Sequence, residues 1–176
     1  NPVEGAEERT IVEEKTINSM KALWTRSPND ITDDEHADFY RHLTHDWGTP
    51  ADRMHLRVEG MNEYTALMYV PERAPMDLYS REAKRGLSLY VKHVFISDDV
   101  RELMPEYLRF IRGLVDSPDL PLNVSREVVQ QHRLIGSIRK HLAKKWLTHF
   151  AKQLSNDREA YEKFWGEFGA ALKEGF

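Results

Sequence analysis

The chain has 176 residues, of which 40% are hydrophobic, 10% aromatic and 31% charged, with a net charge of −4 and no cysteine. This length fits one domain with at most a small appendage, and the apolar content excludes intrinsic disorder of the whole chain. The lack of cysteine excludes disulfide scaffolds and thiol catalysis, and no apolar run approaches the roughly 20 residues that span a bilayer.

The N-terminal region is acidic. Ten acidic and four basic side chains fall in residues 1–40. Residues 1–15 lack hydrophobic periodicity and are interpreted as a linker remnant, with a strand beginning within residues 14–17. The first residues are neither an initiator methionine nor a signal peptide, so we expect the chain to be cut from a longer one.

A helix is predicted after this region. Thr32 and Glu35 form a T-x-x-E capping box, which predicts a helix from there to about Trp47. The spacing of its apolar residues predicts an inner face formed by Ala37, Tyr40, Leu43 and Trp47. The Gly-Thr-Pro sequence at residues 48–50 ends the helix.

Strands are predicted in the middle of the chain. Residues 53–59 alternate between apolar and polar, and with residues 64–70 they predict an antiparallel hairpin. Residues 87–96 are nearly continuously apolar and predict one long strand inside the sheet. The loop at residues 71–86 holds the apolar side chains of Met76, Leu78 and Tyr79, followed by a basic tip.

The last third of the chain is predicted to be helical. Pro105 suits the first turn of a helix continuing through Val115. A short helix is predicted after Ser125, then a long helix with apolar residues at every fourth position from Leu134 to Leu154, then a last helix capped by Asn156. Helices alternating with paired strands predict an α/β fold, a layered helix–sheet–helix domain with a mixed sheet.

Several chemistries are disfavoured by the sequence. The eight histidines lack metal-site spacing, so no metal is expected, and there is no P-loop, G-x-S-x-G or H-E-x-x-H motif. The glycines never cluster, so a self-contained nucleotide site is not expected. Residues 126–152 carry seven basic side chains and one acidic side chain, which fits either a solvated helix face or a surface that meets an anion.

Arg126 falls at the start of the short helix predicted after Ser125, where a basic residue is unusual. If Ser125 caps the short helix, Arg126 occupies its first turn, where a cation opposes the helix dipole. Backbone N–H groups together with an Arg form an anion site, for which phosphate is the usual ligand. Gln130 lies one turn further on the same face. The alternative, that Arg126 pairs with Glu127 or another surface acid, stays open on these residues alone.

Longer motifs run through the chain. They include Leu-Trp-Thr-Arg at residues 23–26, Arg-Ala-Pro at 73–75, Pro-Glu-Tyr-Leu-Arg-Phe-Ile-Arg-Gly at 105–113 and Asp-Ser-Pro-Asp-Leu-Pro-Leu-Asn-Val-Ser-Arg-Glu at 116–127. These motifs resemble the middle segment of the 90-kDa heat-shock chaperone family, in its bacterial branch. The resemblance covers about residues 14–176.

The resemblance implies a catalytic role for one loop. In that family an N-terminal domain binds ATP with Mg, and the middle domain supplies an Arg to the terminal phosphate. By resemblance Arg126 is that catalytic residue and Gln130 assists it, with Asn123 on the same nucleotide-contacting loop. The resemblance also implies a large α/β domain at residues 16–155 and the first helix of a helical connector at 156–176.

The resemblance further implies partners. They are the N-terminal ATPase domain of the same chain, unfolded or partly folded clients, and a second copy joined through a C-terminal domain, in the cytoplasm and without nucleic acid or membrane. Trp24, Met76, Leu78 and Tyr79 match client-contact regions, although Trp24 equally suits a core position. By itself the chain is not expected to be an enzyme or to hold a cofactor tightly. The alternatives are a stand-alone protein-interaction module and a self-sufficient hydrolase.

Overall fold

The computed structural model describes residues 23–83, 86–123, 125, 127, 129 and 132–176. Three α-helices and five β-strands are assigned within these residues. They are α1 (Asp33–Thr44), β1 (Pro50–Val58), β2 (Tyr64–Pro71), β3 (Leu87–Val91), β4 (Val94–Val100), β5 (Arg112–Asp116), α2 (Arg133–Asn156) and α3 (Arg158–Lys173). The linker remnant and the strand predicted within residues 14–17 lie outside the described residues.

The five strands form one mixed sheet. Its order is β1-β2-β5-β3-β4, in which β3 and β5 are parallel and the other neighbours are antiparallel. The predicted β1–β2 hairpin is confirmed, and the apolar side chains of β1 pack on the core as its alternation predicted. The predicted α/β class with a mixed sheet is therefore confirmed.

Helices cover both faces of this sheet. On one face, α2 and α3 pack over Ala66, Met68 and Val70 of β2 in the larger core. On the other face, a smaller core joins α1 and the turn before it to Leu67 and Tyr69 of the same strand. Successive residues of β2 thus enter opposite cores, as the two-residue period of a strand requires. The predicted helix–sheet–helix layering is confirmed.

Helix α1 begins as predicted but ends earlier. Glu35 N–H donates to Thr32 Oγ1 at 3.2 Å, and Thr32 N–H donates to Glu35 Oε2 at 2.9 Å, which completes the capping box. The helix ends at Thr44 because His45 takes a left-handed conformation, with φ of 57°. Trp47 therefore lies beyond the helix and is 91% exposed, so its predicted inward position is wrong. The buried residues of α1 are His36, Phe39 and Tyr40.

The single strand predicted at residues 87–96 is wrong, because the chain reverses inside it. Lys92 and His93 have φ values of 50° and 66°, and they connect β3 and β4 as a two-residue hairpin turn. Positive φ at both central positions matches the twist that two-residue hairpins favour. The two polar residues were the visible signal for this turn.

The helix predicted from Pro105 to Val115 is also wrong. The chain forms a 3₁₀ turn at Glu106–Leu108 and then strand β5. Leu114 enters one core and Val115 the other, so burial on both faces of the sheet overrides the helical spacing. Gly113 interrupts the helical pattern, and in the strand it lies against the backbone of Leu67 and Met68.

Gly113 supplies a testable property of the fold. Its φ is 153°, and an added Cβ would lie 2.2 Å from the carbonyl oxygen of Leu67. We expect Gly113→Ala to lower the free energy of unfolding by at least about 1–3 kcal/mol, measured by urea denaturation. Gly136→Ala is the matched control, since a Cβ there meets nothing within 4 Å and alanine favours a helix. Equal stability of the two variants would contradict this expectation.

The two C-terminal helices are close to their predictions. Apolar residues of α2 are buried at every fourth position from Leu134 to Phe150, whereas Leu154 is exposed. Helix α3 begins one residue later than predicted, because Asp157 rather than Asn156 is its cap and accepts from Ala160 N–H at 3.2 Å. Phe168 of α3 lies in the same core as the sheet. No helix in the described part of the chain is both long and apolar enough to cross a membrane.

Candidate functional site

Three connections that each follow a strand meet at one end of the sheet. In the strand register, Asp116 at the end of β5 lies opposite Tyr90 of β3 and Thr65 of β2. The β1–β2 turn, the β3–β4 turn and the loop after β5 therefore lie side by side. The loop after β5 holds the motif at residues 116–127, so this end of the sheet is the candidate functional site.

The root of the loop is a buried carboxylate. Asp116 is 4% exposed, and its Oδ2 accepts a hydrogen bond of 2.8 Å from the indole N–H of Trp24. The backbone N–H of His93 donates to Oδ1 at 3.2 Å, and the His93 ring Nδ1 lies 2.5 Å from Oδ2. A buried carboxylate is stable only when it is paired or hydrogen-bonded, and these contacts meet that need. They fix the residue from which the loop starts.

The next residues tie the loop to its neighbouring connections. Ser117 is fully buried; its N–H donates to Tyr90 O at 3.1 Å and its hydroxyl donates to Glu63 O at 2.9 Å. Glu63 N–H in turn donates to Asp119 Oδ2 at 2.8 Å. The first residues of the loop are thereby bonded to both β3 and the β1–β2 turn.

The segment that follows is held in the larger core by a buried residue at each end. Leu120 and Val129 are buried in the larger core, whereas residues 121–123, 125 and 127 are exposed. Val129 N–H donates to Ser125 O at 3.1 Å, the spacing of a helical turn. Asn123 is thus placed on the surface of the loop. Arg126 and Gln130, the predicted catalytic pair, lie outside the described residues.

The loop at residues 71–86 joins β2 to β3 at the opposite end of the sheet. It starts where Pro71 pairs with Pro50 and ends where Leu87 pairs with Val100. Of the four predicted client-contact residues, Met76 is fully exposed and Tyr79 is more than half exposed. Leu78 is buried, and Trp24 is 1% exposed in the opposite core. The structure therefore separates Trp24 from the other three.

Arg109 holds this loop against the rest of the fold. Its Nε donates to Leu78 O at 3.0 Å, and its two terminal nitrogens donate to the Glu174 carboxylate at 2.7 and 3.1 Å. Its guanidinium lies 5.0 Å from the ring centre of Tyr79. The hydrogen bond with Glu174 raises the pKa of Arg109, so this buried cation stays charged. Sequence reasoning missed Arg109, although a charged residue inside the apolar run of residues 108–111 was a signal.

Comparison with known proteins gives the class of the protein. A family model described as Hsp90 protein matches residues 2–176. The chain belongs to the Hsp90 family.

Curated relatives place it more closely. The chain is 53% identical to a chaperone protein HtpG from Nocardia farcinica, over 98% of this chain and 26% of the relative. It is 52% identical to that of a Vibrio cholerae strain, over 90% of this chain and 25% of the relative, and 51% identical to that of Sodalis glossinidius, over 98% and 27%. The chain thus spans about a quarter of the length of these relatives.

Histidine and carboxylate side chains could also form a metal centre. Within the described ranges, no three His, Cys, Asp or Glu side chains are grouped so as to hold a metal ion. Two of the histidines illustrate the contacts that are made instead. His149 pairs with Asp52, which raises the pKa of His149, and His36 is buried beside Tyr69, where burial lowers the pKa of His36 to about 4.

Proposed function

We propose that this chain is the middle part of an ATP-dependent chaperone. In this proposal the loop after β5 brings Arg126 to the terminal phosphate of an ATP molecule held by an N-terminal domain of the parent chain. The observation that supports it most is the family's loop motif on a surface segment whose first residues are fixed in the fold. The division into residues 16–155 and 156–176, the cytoplasmic location and dimer formation through a C-terminal domain remain parts of the proposal.

Phosphoryl transfer explains why the loop would have this form. Charge on the transferred phosphoryl group is stabilised by cations that are already in position, and an arginine delivered by a second domain is one recurring solution. Such delivery needs a loop that is exposed at its tip and rigid at its root. Asn123 is exposed and Asp116 is buried, so the described residues fit this requirement.

The residues of this chain would contact ATP rather than enclose it. Arg126 would supply positive charge, and Gln130 and Asn123 would supply amide groups that hydrogen-bond to phosphate oxygens. The base, the ribose and the Mg ion would be held by the N-terminal domain.

The isolated 176-residue chain is therefore expected to show no ATP turnover above background. The reason is that one arginine on a loop does not by itself bind and orient ATP. The measurement is phosphate release at saturating ATP, with the Arg126→Ala chain as a matched control for contaminating ATPases. Turnover by the wild-type chain that disappears in the Arg126→Ala chain would support the self-sufficient hydrolase instead.

We also propose a weak client-contact surface at the loop of residues 71–86. Met76 is fully exposed and Tyr79 is more than half exposed, in a loop whose sequence also carries the basic residues Arg81, Lys84 and Arg85. Exposed apolar side chains rimmed by charge suit transient contact with unfolded protein. Leu78 is excluded from this surface because its side chain is buried in the larger core.

Changing the exposed side chains should separate client contact from folding. We expect Met76→Ser combined with Tyr79→Ser to weaken the suppression of client aggregation while the melting temperature stays nearly unchanged. Leu78→Ser is the contrasting variant, because it places a hydroxyl in the core and should lower the melting temperature. Unchanged aggregation suppression by the double variant would contradict the proposed client surface.

A further inference from the structure

The contact between Trp24 and Asp116 suggests a role for both residues. We propose that Trp24, His93 and Asp116 form a positioning cluster that holds the loop after β5 in the orientation needed for ATP hydrolysis. This inference rests on the proposed function. Trp24, which is 1% exposed, then acts on catalysis from inside the fold, through Asp116.

Three distant segments of the chain meet in this cluster. Trp24 belongs to the turn before α1 and lies 92 residues from Asp116 in sequence, and His93 belongs to the β3–β4 turn. The indole N–H of Trp24, the backbone N–H of His93 and the His93 ring Nδ1 all contact one carboxylate, that of Asp116, which is the last residue of β5. The cluster therefore fixes the loop relative to the smaller core and to the hairpin turn at once.

The position of the Asp116 carboxylate affects the loop because Asp116 directly precedes the first residue of the loop, Ser117. Asp116 is joined to Ser117, whose N–H and hydroxyl are both used in the bonds to Tyr90 and Glu63. Loss of a partner of Asp116 frees its carboxylate to rotate and to seek water, which disturbs the peptide that starts the loop. A misplacement of about 1 Å at a reacting group is sufficient to slow a reaction about 10²-fold.

The packing of Trp24 allows a substitution that removes its hydrogen bond and keeps an aromatic ring. Its ring centre lies 4.7 Å from that of Tyr90 and 6.2 Å from that of Phe39. Phenylalanine at position 24 keeps an aromatic ring among these neighbours but removes the N–H donor to Asp116. His93→Ala provides a second variant without loss of core packing, since the His93 side chain is 68% exposed.

The test uses the full-length parent protein and combines each variant with Arg126→Ala. We expect Trp24→Phe and His93→Ala each to lower kcat by about 10-fold, with KM for ATP within about 2-fold of wild type, because they misplace a loop that does not hold the base. In the Arg126→Ala background the same substitutions should have no further effect on kcat, since the group that they position is gone.

Trp146→Phe is the matched control. Trp146 is fully buried on the opposite face of the sheet, where its N–H donates to Met68 Sδ at 3.3 Å. This variant removes a buried indole N–H as Trp24→Phe does, but it should leave kcat at the wild-type value. Unchanged kcat in both Trp24→Phe and His93→Ala would overturn the positioning role, as would an equal loss with and without Arg126, or an equal loss in Trp146→Phe. Wild-type turnover of Arg126→Ala alone would instead overturn the proposed function.

Discussion

Replacing Arg126 with Ala is expected to slow ATP hydrolysis by the full-length parent about 10³-fold or more, the effect typical of removing an arginine that stabilises a phosphoryl-transfer transition state. The substitution removes a fixed positive charge from the place where negative charge develops. Gln130→Ala should act in the same direction but less strongly, because the amide carries no charge. Steady-state phosphate release at saturating ATP measures both effects.

Two controls define this expectation. Arg139→Ala removes an exposed arginine of α2 outside the loop, so its turnover should match that of the wild type. The melting temperature of the Arg126→Ala chain should also stay close to the wild-type value, because an arginine that reaches a phosphate held by another domain is expected to be exposed, and exposed charges contribute little to stability. A turnover loss in Arg139→Ala as large as that in Arg126→Ala would show that general positive charge, not a particular arginine, drives the reaction.

Phe110→Ala is expected to cost about 3–5 kcal/mol of unfolding free energy, as large-to-small changes at buried aromatic residues do. Phe110 is 1% exposed, and its ring stacks on Phe168 with a centroid distance of 4.4 Å. It also lies 5.7 Å from Phe164 and 6.4 Å from Phe150, so it links both C-terminal helices to the strand side of the core. Urea denaturation of the 176-residue chain gives the measurement.

Phe176→Ala is the control for this loss. The Phe176 ring is exposed, and its centre lies 6.4 Å from that of the Tyr107 ring. Its removal should therefore change the free energy of unfolding by less than about 0.5 kcal/mol. A loss below about 1 kcal/mol in Phe110→Ala would mean that α3 does not depend on this aromatic cluster for its packing.

Local sequence signals predicted much of the fold. The capping box at Thr32, the alternation in β1 and the four-residue apolar spacing of α2 each arise within one element, and each is confirmed. The end of α1 was missed because it depends on the left-handed conformation of His45, which the sequence pattern does not reveal.

The wrong predictions involve tertiary structure. Residues 105–115 have helical apolar spacing, but their contacts with β2 and β3 make the last of them a strand between two cores. The β3–β4 turn is marked only by two polar residues in an apolar stretch and has no glycine or asparagine. Lys92 and His93 take left-handed conformations that few such residues adopt.

The candidate site was only partly accessible from the sequence. The motif at residues 116–127 could be located through its resemblance to a family, as could Asn123, Arg126 and Gln130. The contact of Trp24 with Asp116 spans 92 residues and that of Arg109 with Glu174 spans 65, so neither follows from local spacing. The burial of Trp24 and Leu78 likewise depends on packing between distant elements.

Single-turnover hydrolysis by the full-length protein carrying Arg126→Ala tests the contribution of the loop after β5 most directly. With the protein in excess so that all ATP is bound, the rate constant for cleavage should fall about 10³-fold. The Kd for ATP should stay within a few-fold of wild type, because the proposal assigns the base and ribose to the N-terminal domain. A correctly folded Arg126→Ala protein that cleaves ATP at the wild-type rate would contradict the catalytic role of Arg126 and return it to a surface ion pair.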